Sequence, residues 1–301
     1  MRVLFAATDW DSWAPHLAAA APEMELVEDG DPASFDAIIY APGSGLTDFT
    51  PYRNVRLVQS LWAGVERIVG NPTLTQPLAR MVDRGLRQGM AEYCTGWAMR
   101  AHLGMDRYAQ DGVWRNGQVP PLARDRNVTI LGMGELGQAT AAMLGRIGFN
   151  VTGWSQSGRP VPGVHSLGAD GLDQALTGAD VLIALLPDTP DTRGLLNADR
   201  LTLLPQGAWL INAGRGTLIE EAALIAALGR GDGLAHAVLD VFALEPLAPN
   251  HPFWTHPQIT VTPHISAETR PATAAAVAAD NLRRAMAGQP ILHLVDRSRG
   301  Y

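Results

Sequence analysis

The chain has 301 residues, 47% of them hydrophobic and 18% charged, with a formal net charge of -7. That length exceeds what one hydrophobic core usually fills, so two compact units are expected. The acidic balance argues against a phosphate-backbone binder, whose affinity rests on clustered Lys and Arg, and the single cysteine, Cys94, excludes an internal disulfide and fits a reducing cytosol.

In chain order, the opening MRVLFAATDW has too short an apolar run for a signal peptide, and no stretch of about 18 uninterrupted apolar residues would span a bilayer. A cytoplasmic protein with neither membrane nor nucleic-acid partners is expected. The runs RVLFA (2–6), MELVE (24–28), DAIIY (36–40) and VRLVQSL (55–61) are brief and β-rich. Separated by helical patterns, they predict a small α/β unit with a covered parallel sheet. A helix is expected over Met90 to Tyr108, carrying the chain into a second unit. There, six strands are predicted at Val128 to Leu131, Val151 to Trp154, Val181 to Leu186, Trp209 to Asn212, Ala237 to Val241 and Ile259 to Thr262. With LGQATAAMLGRIG and IEEAALIAALGRG as helical patterns between them, they predict a doubly wound sheet. The alanine-rich TRPATAAAVAADNLRRAMAG then predicts a helix with Pro271 in its first turn and Gly288 near its end, returning the chain to the first unit.

Ligands of open α/β sheets bind outside the carboxyl ends of the strands. After the first strand comes GMGELG, a G-x-G-x-x-G of Gly132, Gly134 and Gly137 between strand and helix, the pattern that brings backbone N–H groups to a pyrophosphate. Glycine-rich turns also serve plain packing or the cofactor of methyltransferases; the setting here favours a dinucleotide. After the second strand, GWSQSGR offers Ser155, Gln156, Ser157 and Arg159 where an acid would accept from a free 2'-hydroxyl and repel a 2'-phosphate. The same residues also suit a polar surface turn. Pro187 and Thr192 follow the third strand, and INAGRG after the fourth sets Arg215 between glycines, where a guanidinium can grip a carboxylate. The fifth strand runs into Asp240 and Glu245, the sixth into His264; a histidine beside a carboxylate suits proton transfer to a carbonyl oxygen.

Taken together, GMGELG, LLPDTPDT, INAGRG, LDVFALEPL and TPHIS resemble, in order and spacing, the D-isomer-specific 2-hydroxyacid dehydrogenase family across nearly the whole chain. Through WAGVERI, MAEY, HPFWTHPQITVTPHISA and VDRSRGY the chain is most similar to the glyoxylate/hydroxypyruvate reductase A group. The resemblance implies an α/β fold with a Rossmann-type doubly wound domain over 91–268 and a smaller, discontinuous flavodoxin-like substrate domain from 1–90 and 269–301, with a cleft between them. It implies catalytic roles for Arg215, Glu245 and His264, and substrate carboxylate binding by Ala63, Gly64 and Arg215. It further implies cofactor binding by Gly132, Gly134, Glu135, Leu136, Gly137, Ser155, Gln156, Ser157, Arg159, Pro187, Thr192, Ala213, Arg215, Asp240 and His264. NADPH is favoured with NADH as the alternative, and a homodimer built on the cofactor domain and the segment near Ala101 to Pro120 is expected.

Two departures stand out. Gln156 and Gly158 occupy positions where that group carries more cations, and Trp62 replaces a small residue before the carboxylate loop. A zinc site at His251, His256 and His264 is a rival reading, although no cysteine or acid set completes a tetrahedron. A nucleotide-sensing corepressor on the same fold is another, and a bulkier 2-oxo acid facing Tyr40, Trp62 and Trp254 is a third.

Overall fold

A computed structural model of the chain describes residues 1–107, 112–114, 116–117 and 119–300. It divides into two units, Met1–Leu86 with Glu268–Tyr301, and Arg87–Ala267.

The first unit holds a five-stranded, fully parallel sheet in the order β2-β1-β3-β4-β5. Its strands are β1 (Arg2–Ala6), β2 (Glu25–Val27), β3 (Ala37–Tyr40), β4 (Val58–Ser60) and β5 (Leu78–Ala79). This is the flavodoxin-like order. Helix α1 (Trp10–Ala20) and the last helix of the chain (Pro271–Met286) cover one face, burying Trp13, Leu17, Ala274, Ala278 and Leu282 against β1 and β3. Alanines along one side of that last helix let it lie close, and Pro271 sits in its first turn, where a missing N–H costs nothing. The other face packs Ile38 and Val58 on Phe35, Phe49, Ile68 and Leu74.

Only one sequential connection in this sheet carries an α-helix, while a 3-10 turn over Pro32–Ser34 joins β2 to β3. The segments after β3 and β4 are turns, where the sequence reading expected helices throughout. Their backbone is satisfied by side chains instead: Thr73 Oγ1 accepts from Phe49 N–H at 2.9 Å, Asn71 donates to Thr47 O at 2.8 Å, and Gln76 donates to Tyr52 O at 3.0 Å. Arg297 clamps the same region by donating to the carbonyls of Leu74 and Gln76.

Helix α2 (Arg84–Leu103) starts well before Met90, because the buried Asp83 caps it, accepting from Gly85 N–H at 2.8 Å and Leu86 N–H at 3.1 Å. Gly104, at φ 62, ends it. The expected end at Tyr108 lies outside the described residues, as does part of the 101–120 segment.

The second unit has seven parallel strands in the order β12-β11-β10-β9-β6-β7-β8. They are β6 (Asn127–Leu131), β7 (Asn150–Trp154), β8 (His165–Leu167), β9 (Val181–Ala184), β10 (Trp209–Asn212), β11 (His236–Leu239) and β12 (Ile259–Val261). Helices α3 (Glu135–Ile147), α4 (Leu172–Thr177), α5 (Ala198–Thr202) and α6 (Glu221–Leu228) lie between strands, and the helix over Pro271–Met286 is α7. This is the doubly wound Rossmann order with one added strand. Alternation along each strand feeds two cores: Leu131, Leu182, Leu210 and Leu239 on one face, Ile130, Ile183, Ile211 and Val238 on the other.

The third and fifth predicted strands stop at Ala184 and Leu239, short of Leu186 and Val241. Those two residues are buried by loop packing, which an apolar run alone does not distinguish from a ladder. No helix among the described residues is long and apolar enough to cross a membrane.

Candidate active site

The three glycines of the first loop have three separate physical reasons. At φ 106, Gly132 occupies the left-handed region, and a Cβ there would stand 2.7 Å from Leu185 O. A Cβ on Gly137 would stand 1.9 Å from Gly132 O, so α3 packs on the strand only because that atom is missing. Gly134 is exposed, and a Cβ on it would meet nothing within 4 Å. Its backbone faces open space as the N-cap of α3, with no side chain capping the helix. Uncapped first-turn N–H groups at Glu135 and Leu136, next to an open glycine, form a cradle for a pyrophosphate. The residues present fit a dinucleotide.

After β7 the chain makes a tight turn, Gly158 N–H donating to Ser155 O at 3.1 Å, while Ser155 N–H donates to Leu167 O at the end of β8. Gln156, Ser157 and Arg159 are exposed and Ser155 half-buried, its hydroxyl 3.5 Å from that of Ser157. Gly158 is not a vacancy for a cation. It takes φ 60, and a Cβ would stand 2.9 Å from Gly168 Cα. Arg159 makes no hydrogen bond or ion pair among the described residues, which leaves its guanidinium available to an anion.

The loop after β9 is closed internally. Thr192 Oγ1 donates to Pro187 O at 2.6 Å and accepts from Thr189 N–H at 2.9 Å, so its hydroxyl shapes the turn. Asp188 bridges to the neighbouring loop: it takes Arg193 Nε at 2.7 Å and Nη2 at 3.1 Å, and the Thr217 hydroxyl at 2.9 Å. The hydrogen bond from Arg193 holds its carboxyl below the usual carboxylate range, with help from Thr217 and the nearby Arg215 charge.

Arg215 follows β10 and the buried Ala213, half-buried itself. Asn212, almost fully enclosed, fixes its backbone by donating to Arg215 O at 2.9 Å and accepting from Gly214 N–H at 3.2 Å. A Cβ on Gly214 would stand 2.8 Å from Leu186 O, and one on Gly216 would stand 1.9 Å from the Phe242 carbonyl carbon. The flanking glycines therefore let the loops after β9, β10 and β11 touch. Arg215 Nη1 also donates to Gly214 O at 2.6 Å.

The loops after β11 and β12 bring Glu245 and His264 together. Glu245 Oε2 lies 2.8 Å from His264 Nδ1, and its Oε1 accepts from Phe242 N–H at 2.9 Å, which aims the carboxylate. The imidazole is half-exposed, with Nε2 unpartnered among the described residues. A ring held at Nδ1 by a carboxylate and open at Nε2 can carry a proton and deliver it. His264 sits at φ 55, unfavourable for a non-glycine residue. Asp240, placed among cofactor-binding residues by the sequence reading, is fully enclosed, and its carboxylate accepts from Thr262, Ile265 and Ser266 on the His264 loop.

Residues 97–266 match the family described as D-isomer specific 2-hydroxyacid dehydrogenase, NAD binding domain. The chain belongs to the D-isomer specific 2-hydroxyacid dehydrogenase family. A curated relative from Escherichia fergusonii, glyoxylate/hydroxypyruvate reductase A, is 35% identical over 100% of both chains. A D-isomer specific 2-hydroxyacid dehydrogenase from Xanthobacter autotrophicus Py2, solved with NADPH and MES, is 36% identical at a TM-score of 0.91, covering 100% of this chain and 99% of that one. The NADPH-dependent glyoxylate/hydroxypyruvate reductase from Sinorhizobium meliloti, solved with NADP and sulfate, is 34% identical at a TM-score of 0.87 with the same coverage.

In this dehydrogenase the remaining candidates separate cleanly. Ala63 and Gly64 lie in the first unit, half-buried after β4, and their N–H groups make no hydrogen bond among the described residues. Trp62 is 42% exposed, with the Arg67 guanidinium 5.7 Å from its ring centre. Tyr40 is buried against Phe49 and belongs to the core; Trp254 is half-exposed and donates to Ala248 O at 2.9 Å. The three histidines of the zinc reading have separate partners: His251 meets Glu221 at 3.3 Å, His256 accepts from Gln258 N–H, and His264 holds Glu245. The described residues contain no group of three or more His, Cys, Asp or Glu able to hold a metal. Sequence reasoning missed Asn212, Asp188 and Thr262; Asn212, ending an apolar strand, carried a signal as a polar residue able to close an Asx turn.

Proposed function

We propose that this dehydrogenase reduces a small 2-oxo acid of the glyoxylate or hydroxypyruvate type to its 2-hydroxy acid with NADPH. The observation that carries this reading is the Glu245–His264 pair at 2.8 Å with Nε2 left open. When bound, the dinucleotide supplies a hydride. His264 gives a proton from Nε2 to the substrate carbonyl oxygen, and Glu245 keeps the ring oriented. Arg215 grips the carboxylate and polarises the carbonyl, stabilising negative charge as it develops. The N–H groups of Ala63 and Gly64 donate to that carboxylate.

The glycine loop at Gly132, Gly134, Glu135, Leu136 and Gly137 would hold the pyrophosphate of the dinucleotide, and Pro187, Thr192 and Ala213 would contribute further contacts to it. Residues 91–268 thus serve as the dinucleotide-binding domain, and 1–90 with 269–301 as the substrate domain. Ser155, Gln156, Ser157 and Arg159 favour the 2'-phosphate of NADPH, because no acid repels it and one unpaired cation attracts it. The solved relatives from Xanthobacter and Sinorhizobium carry NADPH and NADP, which supports that preference.

A homodimer is supported by exposed apolar side chains at Met105, Val113, Trp114, Val119 and Leu122, Trp114 being 90% exposed. An acidic net charge and one buried cysteine support a cytoplasmic protein without nucleic-acid partners. The test is a nicotinamide-absorbance assay of glyoxylate, hydroxypyruvate, pyruvate and bulkier 2-oxo acids with each cofactor. Turnover of the two small acids with NADPH is expected. Oxidation with none of them would favour a nucleotide sensor, and a preference for the bulkier acids would reassign the substrate.

A further inference from the structure

We propose that Tyr93 and Thr262 are positioning residues for His264, acting through Asp240 rather than by touching substrate. The inference rests on the proposed role of His264 as proton donor. Tyr93 belongs to the MAEY stretch of α2, and Thr262 directly follows β12; 169 positions separate them in the chain. Thr262 Oγ1 donates to Asp240 Oδ1 at 2.5 Å. Its one proton is thereby used, so in the 2.7 Å contact with Tyr93 the phenol is the donor. Asp240 Oδ1 also accepts from Ile265 N–H at 2.9 Å, and Oδ2 from Ser266 N–H at 2.9 Å.

A continuous chain therefore runs from phenol to hydroxyl to carboxylate to the two backbone N–H groups that follow His264. His264 N–H itself donates to Asp240 O at 2.9 Å. The histidine is gripped before, at and after its own position. It needs such a grip, since a non-glycine residue persists at φ 55 only where its surroundings over-determine it.

An enclosed carboxylate is stable only when its lone pairs are satisfied. Among the described residues Thr262 supplies the one side-chain donor to Asp240, and Tyr93 fixes which way that hydroxyl turns. Burial raises the Tyr93 phenol, so it stays protonated and keeps donating across the working pH range. Cys94, the next residue on α2, is fully buried with its thiol 3.6 Å from the Met90 sulfur, outside this chain of hydrogen bonds.

The test compares Thr262→Val, Thr262→Ser and Tyr93→Phe in the full-length protein saturated with NADPH, with glyoxylate as substrate. Thr262→Val is expected to lower kcat about tenfold, the rate equivalent of one lost hydrogen bond, with the dissociation constant for NADPH within about twofold of the parent. Thr262→Ser keeps the donor and restores most of kcat; Tyr93→Phe lowers it by a smaller factor. A kcat within about twofold of the parent in Thr262→Val, or an equal loss in Thr262→Ser, overturns the proposal.

A second readout does not depend on turnover. The His264 ring resonance, assigned by its disappearance in His264→Ala, should move in Thr262→Val and return in Thr262→Ser. If it does so while the parent reduces no 2-oxo acid, the positioning chain stands and the proposed reaction falls. If the parent turns over glyoxylate and the resonance is unmoved in Thr262→Val, the chain falls and the reaction stands.

Discussion

Two sets of loops at the carboxyl edge of the second sheet are built on opposite principles. Those after β10, β11 and β12 carry Arg215, Glu245 and His264, and each is tied by buried partners: Asn212 for the first, Phe242 N–H for the second, Asp240 for the third. The turn after β7, which carries Ser155 to Arg159, is tied mainly through its backbone, and most of its side chains are exposed. Groups proposed to meet reacting atoms are over-determined, in keeping with the rate that a small misplacement costs. The groups proposed to choose between two cofactors only need to present the right charge.

That contrast is tested most severely at the proposed chemistry. His264→Ala should lower kcat by roughly 10²–10⁴, the usual contribution of a positioned general acid, while NADPH binding stays close to parental. Arg215→Ala should cost about 10²–10³ and raise KM as well, since it loses both carboxylate binding and polarisation. Steady-state kinetics and cofactor fluorescence measure both. Near-normal kcat in His264→Ala would remove it from proton transfer, and an unchanged rate at saturating substrate in Arg215→Ala would remove polarisation.

The over-determined loops should also be intolerant of added atoms. Gly216→Ala puts a methyl group 1.9 Å from the Phe242 carbonyl carbon. The backbone must move, at a cost of about 3 kcal/mol, or roughly 5–10 °C in Tm. Gly134→Ala meets nothing within 4 Å, so Tm should hold while affinity for NADPH falls. A Tm loss in Gly134→Ala as large as that in Gly216→Ala would erase the distinction between packing and ligand glycines.

How legible each region was in the sequence follows from the distance to its partners. The glycine loop and the residues around Arg215 could be read because their constraints act between near neighbours, as in the clash of Gly137 with Gly132 O. Glu245 and His264 could be placed at one sheet edge once the strand order was guessed. The bond from Thr217 to Asp188 and that from Thr262 to Asp240 could not be read, since the partners lie 29 and 22 residues apart and depend on which strands sit side by side. Strand β8 escaped for another reason: HSL at the sheet edge carries no apolar run. Gly158 misled because its positive φ and its contact with Gly168 are invisible in a list of residue types.

The open turn should be easy to re-aim. Arg159→Ala is expected to raise KM for NADPH about fivefold and leave NADH alone, the size of one exposed ion pair. Ser155→Asp adds a charge that repels a 2'-phosphate and accepts from a 2'-hydroxyl, so the preference should move toward NADH without loss of Tm. A clear NADH preference in the parent would overturn the assignment of this turn.

The smallest effect lies at Asp188, where the loop after β9 meets the turn after Arg215. The Arg193 hydrogen bond chiefly lowers its carboxyl in the folded chain. A carboxyl lowered on folding contributes stability that is present above its unfolded value, near pH 4, and that is lost as pH falls through the folded value. Arg193 is 64% exposed, so solvent screens the pair and the contribution is about 0.5–1 kcal/mol, or roughly 2 °C in Tm. Asp188→Asn keeps an oxygen to accept from Thr217 but removes the charge. Its Tm should therefore lie below the parent at pH 7, and the gap should be smaller at a pH below about 4. A gap of equal size at both pH values would mean that the shape of the side chain, and not its charge, holds the two loops together.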